Sequence, residues 1–486
     1  MRIHGLLLPI DPDSPDPIYL QLAEAVIAAI RQGRLRPGET LPGTRELAEQ
    51  LKVHRNTVLQ AMRELQAQGW VVMKERAGVF VADVLPAFTP SSPPTPPSLE
   101  PSFILPRPLD PLSTASTVKM DWSDGLADVR LAPTEAMAKA YQRAMRLKGG
   151  ELLSSGEFQG QRRLREALAQ HVGQQRALSL QADQILITRG TPMSLTLVAQ
   201  ALVGPEGGAV AVEDPGLPLI RDTLRQASGA VLHPIPVDEE GLRTEALAKA
   251  LETTRLNMLV VSPQAQAPTG VALSPRRREE LWALARAHRF AILELDIEHD
   301  HLAGQTLKPL AAEDREGLVI YVGSLSRLLA PGLRLGFLAA PGDFAVKLAK
   351  ARQRLDWHGD RVVEWAVSEL ILDGDLGRHL RKVKKATQER RAALEEGLAA
   401  RFGSRLSWTP QSGAMGLWVK GRGELEDPKR MEAWLQACAL LGIRLRNGAF
   451  FDFHGGSLAA TRLGFTAYEP AELAWGLELM AKALGA

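Results

Sequence analysis

Between Pro86 and Pro111 the chain places ten prolines, interleaved with Ser, Thr and Leu. A stretch this poor in backbone donors, with φ fixed at every proline, cannot join a helix bundle or a central strand and favours extended polyproline geometry. Periodic apolar pattern flanks it on both sides, so it reads as a semi-rigid tether between two folded units. The expected layout is residues 1–84, a proline-rich linker over 85–118, and residues 119–486. With 45% hydrophobic and 23% charged residues, there is enough apolar material for a core in each unit.

Composition narrows the function classes. The single cysteine, Cys438, excludes an intrachain disulfide and a cysteine-based zinc site, and no metal is expected. No apolar run approaches the ~18 residues of a membrane span. The opening Met1-Arg2-Ile3-His4-Gly5 lacks the long apolar region and cleavage site of a signal peptide. The expected location is the cytoplasm, without a membrane partner. Net charge is only +2, and residues 1–84 hold ten Lys/Arg against ten Asp/Glu. Contact with nucleic acid must therefore come from where the charges sit.

In the N-terminal unit Ile18, Leu22, Val26, Ile27 and Ile30 recur at helical spacing. Gly33 and the Pro37-Gly38 pair stop this helix. A second helix is expected from about Thr44, as N-cap, to Leu51, and a third from about Arg55 to Gln68. Residues 70–73 and 79–81 read as strands joined by Lys74-Glu75-Arg76-Ala77-Gly78. Three helices and a hairpin make the α+β winged helix-turn-helix layout, whose recognition helix enters the major groove with its N-terminal residues at the base edges. Those residues are His54, Arg55, Asn56 and Thr57. Arginine pairs with guanine, asparagine with adenine, and threonine touches phosphate or a thymine methyl. From residue 51 to 63 the chain carries Lys52, Arg55 and Arg63 and no acid, and the wing adds Lys74 and Arg76.

Specific segments sharpen this reading: Pro17-Ile18-Tyr19-Leu20-Gln21-Leu22, Gly33-Arg34-Leu35-Arg36-Pro37-Gly38, Leu41-Pro42, Arg45-Glu46-Leu47-Ala48 and Arg55-Asn56-Thr57-Val58. The unit resembles the DNA-binding domain of GntR-type regulators along its whole length. The resemblance implies that Arg45, Arg55 and Thr57 contact DNA and that Gly78 shapes the wing. His54 departs from it, standing where the family usually has a serine or threonine cap; an imidazole can still accept a backbone N–H.

Beyond the linker, β-rich runs at 184–188, 209–213, 257–262, 290–295 and 318–322 alternate with helical segments. This predicts an α/β fold, a mainly parallel sheet covered on both faces. From about Asp343 the pattern changes to long charged helices and a smaller α+β lobe with strands at 415–419 and 461–465. Glu213-Asp214-Pro215-Gly216, Pro268-Thr269-Gly270, Gly323-Ser324-Leu325-Ser326, Leu333-Arg334-Leu335-Gly336-Phe337 and Arg462-Leu463-Gly464-Phe465 occur in the order and approximate spacing of a known family. They make this unit resemble class I/II aminotransferases, the fold-type-I pyridoxal-phosphate enzymes. The fused arrangement resembles the MocR subgroup of GntR-type regulators.

The chemistry that this resemblance implies needs a lysine amine for the Schiff base, a carboxylate beside the pyridine nitrogen, and hydroxyls, an arginine and a helix start for the phosphate. The lysine is absent: where the family reads Gly-Thr-Phe-Ser-Lys, this chain reads Gly323-Ser324-Leu325-Ser326-Arg327. Arginine stays protonated and offers no free amine. Leu295 takes the place of the pyridine carboxylate, with Asp296 or Glu294 as substitutes if the register slips by one. Ile297 replaces a tyrosine, Leu217 an aromatic, and Pro192 deletes an N–H from the phosphate turn Gly190-Thr191-Pro192.

What survives is suited to anions: Gly190, Thr191, Ser324, Ser326, Arg334 and Arg462, joined by Arg327 and with Asp296 nearby. The alternative role for these arginines is internal salt bridging. The expected function is a regulator that binds double-stranded operator DNA, forms a homodimer and senses a small carboxylate- or phosphate-bearing effector. No catalytic residue and no covalent cofactor are expected, with non-covalent pyridoxal phosphate left open. Two rival readings, a pyridoxal-phosphate-dependent regulator and an aminotransferase, both require the amine that Arg327 does not supply.

Overall fold

A computed structural model describes residues 10–11, 14–74, 78–86, 118–301, 307–409 and 415–485. The chain divides into two compact units, Met1–Pro111 and Leu112–Ala486.

The first unit is α1 (Ile18–Arg31), α2 (Thr44–Leu51) and α3 (Arg55–Ala67), then a hairpin of β1 (Val71–Lys74) and β2 (Gly78–Val81). The helical-period residues expected to be apolar are the ones buried: Leu22, Val26 and Ile30 on α1 meet Leu47 on α2, Val58, Met62 and Leu65 on α3, and Val71 and Val81 of the hairpin. Thr44 is not the cap of α2. That place falls to Gly43, and Thr44 is the first helical residue.

The second unit opens with β3 (Met120–Asp121), α4 (Thr134–Leu152) and α5 (Arg162–Arg176). Its large lobe then continues through β4 (Ile185–Thr188), α6 (Thr191–Leu202), β5 (Ala209–Asp214), α7 (Pro218–Ser228), β6 (Val231–Asp238), β7 (Gly241–Leu242), α8 (Thr244–Thr253), β8 (Leu256–Val261), α9 (Pro275–His288), β9 (Ala291–Leu295), β10 (Val319–Ser324), α10 (Leu325–Leu328) and β11 (Gly336–Ala339). The eight strands lie in the order β4-β11-β10-β9-β8-β5-β6-β7. Pairings from β10 through to β6 are parallel, whereas β11 runs antiparallel to both neighbours. Alternation along each strand feeds two apolar layers. Leu293, Leu295, Ile320 and Val322 pack beneath α6 and α7, and Ile292, Val319 and Tyr321 face the opposite side.

Helices α11 (Phe344–Asp356), α12 (Arg361–Leu372) and α13 (Asp375–Phe402) follow. Ala345 and Leu348 of α11 and Val367 of α12 still belong to the large sheet's apolar layers. The smaller lobe's core therefore begins on α13, at Leu394 and Leu398, rather than at about residue 343, and it recruits Met120 and Trp122 from the start of the unit. Its strands are β12 (Leu406–Trp408), β13 (Gly416–Gly421), β14 (Ile443–Arg444) and β15 (Ala460–Gly464), with α14 (Pro428–Leu440) and α15 (Pro470–Ala483) packed on them. Among the described residues, no helix is long and apolar enough to cross a membrane.

Candidate functional site

In the N-terminal unit, Lys52 adopts a left-handed conformation (φ 54°) that closes α2, and His54 caps α3. The His54 Nδ1 accepts the Asn56 N–H at 3.2 Å, which replaces the hydroxyl cap with an imidazole. This brings Arg55 and Asn56 to the exposed start of α3, with Thr57 half-buried beside them and Arg45 exposed at the start of α2. Arg45, Lys52, Arg55 and Arg63 have no ion-pair partner among the described residues. An otherwise neutral unit thus presents unneutralised cations around its helix-turn-helix. At the hairpin, Lys74 lies over the Phe80 ring, 4.8 Å from its centroid, and Gly78 takes φ +109° as the strand resumes. Arg76 lies outside the described residues.

In the second unit, a cavity of about 170 Å³ opens where β10 ends and α6 begins; Gly190, Thr191, Pro192, Ser324, Ser326, Arg327 and Arg334 line it. Its apolar wall comes from Leu126, Leu217, Ile220 and Ile297. Close packing shapes the polar end. Gly190 takes φ +87°, and a Cβ on Gly336 would stand 2.9 Å from the Gly190 Cα, so β11 comes against the head of α6 only because both are glycine. Pro192 has no N–H and the Ser194 N–H turns back to the Gly190 carbonyl at 3.3 Å. The N–H groups of Thr191 and Met193 are left at the positive end of the helix.

Arg334 reaches the same place. Its backbone is left-handed (φ 48°), its guanidinium lies within 3.9 Å of where a Gly190 side chain would begin, and its Nη2 donates to the Arg189 carbonyl at 3.0 Å. It is exposed and makes no ion pair among the described residues. Ser324 uses its hydroxyl oxygen to accept the Arg327 N–H and keeps its proton for another partner. Ser326 does not: its hydroxyl donates to the Leu335 carbonyl at 3.0 Å and accepts the Leu335 N–H at 2.6 Å. Ser326 borders the cavity but has no proton to spare for an anion.

Three sequence expectations need correction. Asp296 does not face the cavity. It is buried, its Oδ2 accepts from Arg176 Nη2 at 2.6 Å and from the Tyr321 hydroxyl at 2.9 Å, and it stays on the side of β9 opposite Ile297. Glu294 is no substitute either. Its carboxylate accepts the Leu310 and Ala311 N–H groups at 2.9 Å, and burial, with Asp296 adding to it, pushes it up to about 7. Arg462 is 1% exposed and does not line the cavity.

Arg462 instead belongs to a four-membered network that sequence reading did not find. Its Nη1 bonds Asp124 Oδ1 at 2.8 Å and its Nη2 bonds Glu298 Oε1 at 2.9 Å. Arg327 joins the same two acids, with Nη2 to Asp124 Oδ2 at 3.2 Å, Nη1 to Glu298 Oε1 at 3.4 Å, and Nη1 to the Gly125 carbonyl at 2.9 Å. The second Glu298 oxygen accepts the Met415 N–H at 2.9 Å. Burial alone would raise the Glu298 carboxyl; Arg462, Arg327 and the Met415 N–H outweigh it and hold the group at about 2.

The residues present do not fit covalently bound pyridoxal phosphate. Position 327 carries a guanidinium committed to two carboxylates, and Leu295 lies in the apolar layer with Val322 and Val212, so no acid reaches a pyridine nitrogen there. Arg327→Lys alone is expected to give no trappable covalent adduct with pyridoxal phosphate, because Leu295, Ile297 and Pro192 remain; a visible absorption band that borohydride fixes to the new amine at position 327 would contradict this.

The two architectures define a DNA-reading head joined to an aminotransferase-type domain. Residues 18–81 match the gntR family of bacterial regulatory proteins, and residues 117–474 match the aminotransferase class I and II family. The chain belongs to the aminotransferase class I and II family, here carrying a GntR-type head, and its relatives include MocR-type transcription regulators. It is 25% identical over 484 residues to the probable rhizopine catabolism regulatory protein MocR of Rhizobium meliloti, covering 98% of this chain and 96% of that one. It is 28% identical over 486 residues to the HTH-type transcriptional regulator TauR of Rhodobacter capsulatus, covering 97% and 98%. The second unit is similar to the α-aminoadipate aminotransferase LysN of Thermus thermophilus, solved with N-(5'-phosphopyridoxyl)-L-leucine. That match has a TM-score of 0.69 and 26% identity, and covers 76% of this chain and 92% of that one. The chain is thus a DNA-binding transcription regulator with an aminotransferase-like domain.

Proposed function

We propose that this regulator senses a small anionic effector held without covalent chemistry in the cavity between α6 and β10, and that it acts on its operator as a homodimer. The carrying observation is Arg334: a cation without an ion pair among the described residues, aimed at the start of a helix, beside the Ser324 hydroxyl and an apolar wall. Phosphates and carboxylates are the groups that such a corner binds. Pyridoxal phosphate held non-covalently is one ligand of this description. Transamination is set aside on the site residues, since Arg327 supplies no amine and Leu295 no carboxylate.

In the expected layout of residues 1–84, 85–118 and 119–486, most of the linker lies outside the described residues. An effector signals through it only by favouring one arrangement of the two DNA readers over another. The test is calorimetric titration of the full-length protein with pyridoxal phosphate and with inorganic phosphate, alongside Arg334→Ala. A lost charge-assisted bond is worth about 1.5–3 kcal/mol, so the variant is expected to bind roughly ten- to a hundredfold more weakly. Equal binding by the two proteins would reject the assignment of Arg334.

A further inference from the structure

Of the two arginines that line the cavity, Arg327 is already taken. It shares Asp124 and Glu298 with the buried Arg462, two guanidiniums against two carboxylates, so the network carries no uncompensated positive charge. Both Nη atoms of Arg462 are used, and its Nε is buried without a partner. Glu298 is 4% exposed and bonds both arginines through one oxygen and a backbone N–H through the other. The other lining arginine, Arg334 at the head of α6, makes no ion pair among the described residues.

We infer that Glu298 is a built-in carboxylate ligand, a specificity-determining residue that keeps Arg327 and Arg462 from a carboxylate on an incoming molecule. The effector this chain accepts carries one anionic group, a phosphate monoester, on a compact apolar body. A carboxylate is refused at Arg327 and Arg462, so α-amino acids and dicarboxylates gain no second contact there. The reason is exchange: a carboxylate entering between the arginines must eject another that already makes the same bonds, so it gains nothing to offset the freedom lost on binding. A phosphate at Arg334 has no carboxylate to eject among the described residues. This inference rests on the proposed effector site, and the experiment separates the two.

Wild-type protein is titrated calorimetrically with phenyl phosphate and with succinate, and the melting temperature of Glu298→Ala is followed as acetate or neutral acetamide is added. The expected result is saturable phenyl phosphate binding that weakens about tenfold or more in Arg334→Ala, and no saturable succinate binding. Acetate, but not acetamide, is expected to raise the melting temperature of Glu298→Ala while leaving wild type unmoved. Succinate binding to wild type that Arg462→Ala abolishes would overturn the inference and leave an effector site standing. Failure of both probes on wild type, with acetate still stabilising Glu298→Ala, would overturn the effector site and the phosphate preference while supporting Glu298 as the internal ligand. A folded Glu298→Ala that ignores acetate would overturn the role of Glu298. Should that variant not fold, wild-type selectivity between the two probes decides alone.

Discussion

Replacing Glu298 by glutamine is expected to destabilise the C-terminal unit by about 3–5 kcal/mol, the usual cost of removing one partner from a buried ion pair. The amide keeps one acceptor oxygen, so its NH2 must face either the Met415 N–H or the two guanidiniums, and the loss combines the missing charge with an unsatisfied donor contact. The same residue sets an acid limb. Its carboxyl is moved from 4.5 down to about 2, and a depressed folded-state value means that stability is fully present above the unfolded value and lost as pH falls through the folded one. Between pH 4.5 and about 2 the wild type should therefore lose about 3 kcal/mol through this group. Eight of the nine tryptophans lie beyond residue 118, so urea unfolding followed by tryptophan fluorescence reports this unit. A flattened acid limb in Glu298→Gln is the expected signature; an unfolding midpoint and acid limb identical to wild type would show that the network contributes no stability.

The second large effect falls on DNA. Arg55→Ala should cost about 1–3 kcal/mol on the preferred operator and relax base preference at one position. Lys52→Ala, removing a charge beside the turn, should weaken all sequences about equally and lower the salt dependence by about one counterion. Binding measured on the preferred site and on single-base variants across a salt series distinguishes them. A uniform loss in Arg55→Ala, with specificity intact, would place Arg55 on phosphate rather than on a base edge.

Much of this was legible in the residues because it is local. Apolar β-rich runs at 290–295 and 318–322 located β9 and β10, and the run from Lys52 to Thr57 located the turn and the start of α3, including an imidazole in the capping position. The substitutions at Arg327, Leu295, Ile297 and Leu217 could be read against the aminotransferase pattern without coordinates. The fate of Asp296 was also within reach: a two-residue period puts Leu295 and Ile297 on one side of the strand and Glu294 and Asp296 on the other. Proximity to the motif was allowed to outweigh that parity. What could not be read was pairing across hundreds of residues. Asp124 stands 338 positions from Arg462, in a segment with no motif of its own, and Glu298 lies just past the end of β9, where no periodicity predicts direction. Two arginines that look like open anion seats in sequence are therefore neutralised in the fold, whereas Arg334, equally exposed to either reading, is not.

As proposed, the aminotransferase-like unit senses its effector without covalent cofactor chemistry. The most direct test is titration of the purified full-length protein with pyridoxal phosphate, followed by borohydride reduction and mass analysis of the chain. An unmodified chain after reduction is expected, whether or not the titration shows saturable, Arg334-dependent binding. A stoichiometric pyridoxyl adduct on any single lysine would contradict it, and would return this protein to the cofactor-dependent regulators that its fold resembles.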